Sequence, residues 1–272
     1  AHVERLRKAV EAVAWDGDWY IRAFFDDGTP LGTNAAAECK IDSLAQTWAV
    51  MCGHADRDRA ARAMDAVFER LVRPADGLVA LFTPPFDQPD HNPGYIAGYL
   101  PGIRENGGQY THGSVWAILA TARASSERRR DRLGELLAIL NPVHAATLGR
   151  ADRYKLEPYV LAGDVYSQPP HVGRGGWSWY TGSAGWFYRA IIESVFGVSI
   201  RGNQLVIEPC LPAAWERATI RIRYRSAQYE VRVGQSTAAG TPKLTYDGEP
   251  VDNPTIEMRD DRRAHLIEVI ST

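Results

Sequence analysis

Cysteine is scarce. Cys39, Cys52 and Cys210 stand far apart and form no CxxC pair. That spacing excludes a thiolate metal site and a disulfide framework, and it suits a reducing compartment, so a cytoplasmic location without a structural metal is expected. Charge of one sign is missing as well. A net charge of −2 at pH 7 offers no footprint for nucleic acid or for an anionic membrane surface. No apolar run reaches the ~18 residues of a membrane span, so no membrane segment is expected. The opening, AHVERLRKAVEAVAW, holds no signal-peptide core and does not begin with Met. It reads as the middle of a helix, and the chain is therefore expected to be part of something longer.

What is abundant is aromatic. Among 272 residues there are 8 Trp and 12 Tyr, against an ordinary 45% hydrophobic and 24% charged content. Two stretches concentrate them with glycine and polar groups: RENGGQYTH from Arg104 to His112, and GRGGWSWYTGSAGW from Gly173 to Trp186. Each runs into an apolar segment with helical spacing. Two loop-to-helix junctions of this kind can build one pocket, with free backbone N–H groups for an anion and flat ring faces for a sugar.

Around them the chain alternates helices with long loops. Val3, Leu6, Val10 and Val13 form a helical stripe. Asp27-Gly28 marks a hairpin turn. Ile41–Met51 fits a helix with Asp42 or Ser43 as its cap, and Asp56 opens a second helix over Arg57–Val72. Residues 73–106 read as a long irregular segment, a length that is usually functional. A helix over Tyr110–Ala122 and another from Ser125 or Ser126 to Leu140 follow, then an irregular stretch over Asn141–Gly176, then a last helix over Trp177–Phe196. After Gly197 the period changes to two: QLVIEP, ATIRIRYR, YEVRV, KLTYD and HLIEVI read as short strands. The expected fold is mainly α, with a helical domain over 1–197 and a β-sheet appendage over 198–272. Helical hairpins with polar loops gathered at one end suggest an α/α toroid, and roughly six helices would make half of one.

Several long strings carry a family likeness: DGTPLGT, KIDSLAQTWAV, LFTPPFD, PGYIAGYLPGIRENGGQYTHG, RYKLEPYVLAGDVYSQPPHVGRGGWSWYTGSAGW and PCLPAAWERATIRIRYRSAQYEV. From about Trp15 to Val233 the chain resembles glycoside hydrolase family 94, the inverting disaccharide and oligosaccharide phosphorylases. The resemblance implies an (α/α)6 barrel, here a partial toroid, followed by a small C-terminal β-sandwich. It implies inverting phosphorolysis of a β-glucoside, a β-1,2-glucan or gluco-oligosaccharide, with inorganic phosphate as co-substrate and no other cofactor. By the same resemblance His112, Thr181 and Gly182 would hold phosphate, and Arg104-Glu105 would contact the sugar. The family's general acid is an Asp in a GDWND-like motif, and these residues contain none; Ala14-Trp15-Asp16-Gly17-Asp18 has similar letters in another order. The acid, and the remaining part of the barrel as a partner, are expected from outside the chain.

The residues themselves leave other readings open. His112 can equally be a helix-start histidine bonded to a carbonyl, and Thr181-Gly182 a simple cap with a tight turn. Arg104 and Glu105 can be a loop-bracing ion pair. Gln109 suits a sugar or a phosphate, or it satisfies its own loop. Trp177, Trp179 and Tyr180 make a sugar-stacking wall or pack beneath the loop. An inverting hydrolase needs two carboxylates ~6.5–9.5 Å apart, which Glu105 with Glu157 or Asp164 would supply unless the latter two hydrogen-bond loop backbone. A non-catalytic glucan-binding module is the remaining alternative.

Overall fold

A computed structural model describes residues 1–53, 55–147, 149–235 and 243–271. The chain divides into two compact units: residues 1–129 with 135–187, and residues 130–134 with 188–272.

The first unit opens with helix α1 (His2–Val13) and the hairpin β1 (Ala23–Phe24) and β2 (Pro30–Leu31). Gly28 occupies the left-handed turn position, and Asp27 Oδ1 accepts from Thr29 N at 2.9 Å. Strand β3 (Ile41–Asp42) runs straight into α2 (Ser43–Met51), and α3 (Arg57–Arg70) follows. Both helices start where carboxylates cap them. Asp42 accepts from Leu44 N, and Asp56 from Asp58 N and Arg59 N; such caps contribute about 1 kcal/mol each. The buried Asp42 also pairs with Arg22, and burial still pushes its carboxyl above the ordinary range.

Short strands β4 (Val72–Arg73), β5 (Leu78–Val79) and β6 (Phe82–Thr83) interrupt the segment expected to be irregular, and β6 pairs with β3. Strand β7 (Gln109–Tyr110) leads into α4 (Thr111–Arg123). Helix α2 packs on both α3 and α4. Val50, Met64, Ala120 and Ala124 close that junction, which is why the apolar positions recur at helical spacing in all three segments.

The later helices depart from the sequence pattern. Helix α5 spans Arg129–Leu140 and begins at Arg128 without a side-chain cap, so neither Ser125 nor Ser126 starts it. The stretch expected to be irregular holds α6 (Pro142–Thr147), α7 (Ala151–Tyr154) and β8 (Asp164–Val165). Pro142 takes the first helical position and Asn141 Oδ1 accepts from Val143 N, a local start signal that the sequence does contain. Trp177–Tyr180 is not helical; α8 covers Thr181–Arg189, and a π-helical segment, Ala190–Val195, continues it.

The second unit is built of strands. Strands β9 (Val198–Arg201), β10 (Gln204–Ile207) and β15 (Thr255–Glu257) form one sheet. Strands β11 (Arg217–Tyr224), β12 (Ala227–Gln235), β13 (Lys243–Tyr246), β14 (Glu249–Pro250) and β16 (Ala264–Ser271) form another, in the order β11-β12-β16-β13-β14. Gly197 leads into β9 at φ +66°, where a Cβ would meet the Glu208 carbonyl carbon at 2.0 Å. Among the described residues 34% are helical and 24% are in strands, which does not support a mainly α chain.

Alternation in β12 buries Ala227, Tyr229, Val231 and Val233, and β16 lies parallel to it with Tyr229 opposite His265. His265, 5% exposed, stacks on the Tyr229 ring at 4.8 Å. Its Nδ1 lies 2.8 Å from Asp247 Oδ2 and 3.0 Å from the Tyr246 hydroxyl, and its Nε2 lies 3.2 Å from Asp261 Oδ1. Partial burial opposes ionisation of Asp247 and Asp261. Their hydrogen bonds, from His265 to both and from backbone N–H groups of Leu266 and Arg263, outweigh it and hold both carboxyls below their usual range. Burial pushes the Tyr246 phenol up to about 12, so it stays a hydroxyl. Replacing His265 by Leu should lower the denaturant midpoint by the equivalent of about 2 kcal/mol. The depressed carboxyls add stability that is complete above about pH 4 and is lost as the pH falls through their folded values. That acid slope should flatten in His265→Leu, as followed by circular dichroism.

Candidate functional site

Strand β8 joins the two polar, aromatic stretches. On one side it pairs with β7, Tyr110 opposite Asp164 and Gln109 opposite Val165; on the other, Val165 bridges to Gly175. The Asp164 side chain repeats the connection. It is 2% exposed, and its Oδ2 accepts from Arg104 N and its Oδ1 from Trp177 N, each at 3.2 Å. Burial raises its pKa, against the lowering effect of those two N–H groups and of the Arg104 charge. Gly176 lets the backbone reach this carboxylate: a Cβ there would lie 2.4 Å from Oδ1.

Arg104 sits in the left-handed region at φ +51°. Its guanidinium lies 5.4 Å from the Tyr99 ring centre and 5.5 Å from that of Trp177, geometry that favours a cation over the ring faces. Partial burial opposes its charge, yet Tyr99, Glu105 and a hydrogen bond to Tyr180 hold its pKa above the ordinary value. Glu105 Oε2 lies 3.7 Å from Arg104 Nε, is buried, and makes no hydrogen bond among the described residues. Trp177 and Tyr180 stack in parallel, 6.3 Å apart with 2° between their planes, and both are about half exposed.

His112 stands in the first turn of α4. A methyl group placed on Gly182, in the first turn of α8, would lie 3.3 Å from its Cε1 and Nδ1, so the two helix starts converge on this imidazole. Tyr110, Trp116 and Trp186 surround it, with ring centres at 6.1, 5.0 and 6.0 Å. Neither ring nitrogen hydrogen-bonds to another described residue, and burial pushes the pKa of His112 below its ordinary value. Trp116 Nε1 is buried without a hydrogen-bond partner among the described residues. Thr181 and Gly182 are exposed.

The structure thus brings His112 to Gly182, with Thr181 beside it, and brings Arg104 to Glu105, Trp177 and Tyr180. Gln109 points elsewhere. It is buried, its Oε1 accepts from Val79 N at 2.8 Å and its Nε2 donates to Thr111 Oγ1 at 3.0 Å, so it satisfies its own loop. Glu157 accepts from Trp179 Nε1 at 3.0 Å. The aromatic box around His112 was missed from sequence as a site feature, although the spacing of His112 and Trp116, four residues apart on one helix, puts them on one face. Asn106 was missed too: fully buried, it accepts from Phe86 N and donates to the Phe86 and Tyr99 carbonyls, each at 2.8 Å.

Removing the Asp164 carboxylate leaves two loop N–H groups without their acceptor. Asp164→Ala should cost about 3 kcal/mol, read as a lower thermal midpoint. Near-UV circular dichroism of the native state should also change as Trp177 is released. An unaltered midpoint and spectrum would show that the carboxylate does not hold the loops.

Among the described residues, no helix is long and apolar enough to cross a membrane, and no His, Cys, Asp and Glu group is arranged to hold a metal. The glycosyl hydrolase 94 superfamily catalytic domain matches residues 1–197, and the glycosyl hydrolase family 65 C-terminal domain matches residues 198–241. Cyclic beta-(1,2)-glucan synthase of Rhizobium meliloti is 44% identical over 253 residues, covering 93% of this chain and 9% of that protein. Solabiose phosphorylase of Paenibacillus borealis is 32% identical, covering 97% of this chain and 34% of that protein. N,N'-diacetylchitobiose phosphorylase of Vibrio furnissii is 32% identical, covering 91% and 31%. The chain therefore spans about a third or less of the length of these relatives. With the catalytic-domain match extending over most of its residues, the chain belongs to the glycosyl hydrolase 94 superfamily.

Proposed function

We propose that this chain is the phosphate- and sugar-holding part of an inverting glycoside phosphorylase acting on β-glucosides, with a β-1,2-glucan as substrate. The observation that carries the reading is the convergence of His112 and Gly182 at two helix starts. The helix dipoles favour an anion there, although Thr111 N already donates to the Gly163 carbonyl at 3.1 Å, and the Thr181 hydroxyl and the imidazole add side-chain donors. The orphaned Trp116 Nε1–H beside the same ring is a further donor that a bound oxygen would satisfy.

In the reaction, a phosphate oxygen forms the new bond to the anomeric carbon as the glycosidic C–O bond breaks. A proton passes to the leaving oxygen from a carboxylic acid. The chain's part is to hold phosphate at His112, Thr181 and Gly182, and to orient the sugar against Arg104, Glu105, Trp177 and Tyr180. Gln109 positions the loop from within. Glu157 and Asp164 are occupied in bracing Trp179 and the two loops, which disfavours their use as the base of a hydrolase. The general acid comes from a segment outside these residues. In the same reading residues 1–197 are part of an (α/α)6 toroid and residues 198–272 a sandwich-type appendage. Inorganic phosphate is the co-substrate, and no metal or organic cofactor takes part.

Titration calorimetry with inorganic phosphate tests the cradle. His112→Ala should weaken binding roughly tenfold with an unchanged thermal midpoint; undiminished affinity would sink the assignment. The pH dependence has a definite sign. Burial keeps His112 neutral near pH 7, and a bound anion favours its protonated form, so binding takes up a proton. Wild-type affinity divided by that of His112→Gln should rise as the pH is lowered from 8 to 6, the ratio cancelling the titration of phosphate itself. Release of glucose 1-phosphate from β-1,2-gluco-oligosaccharides tests turnover. Phosphate-dependent release by this chain alone would mean that it supplies its own acid. Sugar binding without phosphate binding would select a glucan-binding module instead.

A further inference from the structure

Trp179 is held in an unusual way. Its backbone lies at φ +65°, a region that a bulky residue rarely enters. Its side chain is 64% exposed, so the strain is not offset by burial of the indole. The indole is nevertheless fixed in place. Its Nε1 donates to Glu157 Oε1 at 3.0 Å, and the Tyr159 ring meets it edge to face at 6.3 Å, 70° between planes. Tyr159 is itself 69% exposed. Glu157 is charged: a backbone hydrogen bond and the bond from Trp179 hold its pKa below the ordinary value. A strained backbone that presents two rings and a carboxylate to solvent points to a ligand.

This pair is a different station from the first. Trp177 and Tyr180 stack on each other and lie next to Arg104, while Trp179, between them in sequence, pairs with Tyr159. Trp177 and Trp179 are two positions apart, so their Cα atoms are separated by no more than about 7 Å, a step on the scale of one pyranose ring. Flat ring faces suit the C–H faces of sugars, and the Glu157 carboxylate can accept from neighbouring hydroxyls.

We propose that Tyr159, Trp179 and Glu157 form a second sugar subsite beyond the Arg104, Trp177 and Tyr180 wall. The site is thereby built for a glucan chain longer than a disaccharide. The inference rests on the phosphorylase reading for the place of the first sugar, and on the strained, exposed Trp179 for the second.

The test compares chain lengths. Calorimetric titration of the protein with linear β-1,2-linked disaccharide and pentasaccharide should give about tenfold tighter binding of the longer sugar. Tyr159→Ala should weaken pentasaccharide binding about fivefold and disaccharide binding less than twofold; exposure of Tyr159 makes a folding defect improbable, and the thermal midpoint checks it. Trp179→Phe, which keeps a ring but loses the bond to Glu157, should fall between Trp179→Ala and wild type for the pentasaccharide. Equal affinity for the two lengths, or equal losses for both in Tyr159→Ala, would overturn the subsite. So would dissociation of a dimer by Trp179→Ala in sedimentation, which would give this face to a second copy. Phosphate titration of the same samples reports on the underlying reading separately. Phosphate binding without length dependence removes only the second subsite, and loss of both removes the phosphorylase reading with it.

Discussion

The site depends on one buried carboxylate. Burying an ion of this kind costs several kcal/mol, and two backbone N–H groups from two different loops offset part of that cost for Asp164. Two of the exposed groups nearby follow from those bonds. Arg104 donates one of them and carries its guanidinium to Tyr99 and Trp177; Trp177 donates the other and carries Tyr180 against its face. The glycine run before Trp177 has its reason here, since a side chain at residue 176 would occupy the space of the carboxylate. Polar, glycine-rich sequence is commonly read as flexible. In this case it is close packing around a charge.

That distinction explains what could be read from the sequence. Asp42 and Asp56 announce their helices because a cap is a local interaction, complete within a few residues. The same holds for the Asp27-Gly28 turn. Trp177–Tyr180 looked helical because its aromatics continue the spacing of α8. Its backbone is instead committed to Asp164, thirteen residues earlier, and Trp179 to a left-handed conformation. The parallel pairing of β12 with β16 was equally out of reach, since alternation gives the face of a strand and not its neighbour. At the site, residue types were legible and their division of labour was not. Gln109 faces inward to Val79 and Thr111, a choice fixed by contacts distant in sequence.

Two histidines show how the same side chain is put to opposite uses. His265 is clamped by Asp247 and Asp261 and has both nitrogens engaged. Its work is internal, holding the 247 and 261 turns to the sheet. His112 has rings on three sides, makes no hydrogen bond to a described residue, and is pushed toward neutrality. A half-buried imidazole with its donors unused contributes little to the fold beyond packing. In the phosphate-holding role proposed for it, an incoming anion would give it both a partner and a reason to take a proton.

Exposed groups differ in how firmly the chain holds them. Val3, Leu6, Val10 and Val13 are exposed in α1, yet nothing strains to keep them so. At Arg104 and Trp179 the backbone is held left-handed, and in each case the side chain is fixed by a named partner: Tyr99 and Trp177 for the first, Glu157 for the second. Each such residue costs roughly 1–3 kcal/mol, a notable fraction of a domain's net stability. Folding alone would favour relaxing both. On the sugar-binding reading proposed for these two residues, ligand contacts would return part of what the strain removes.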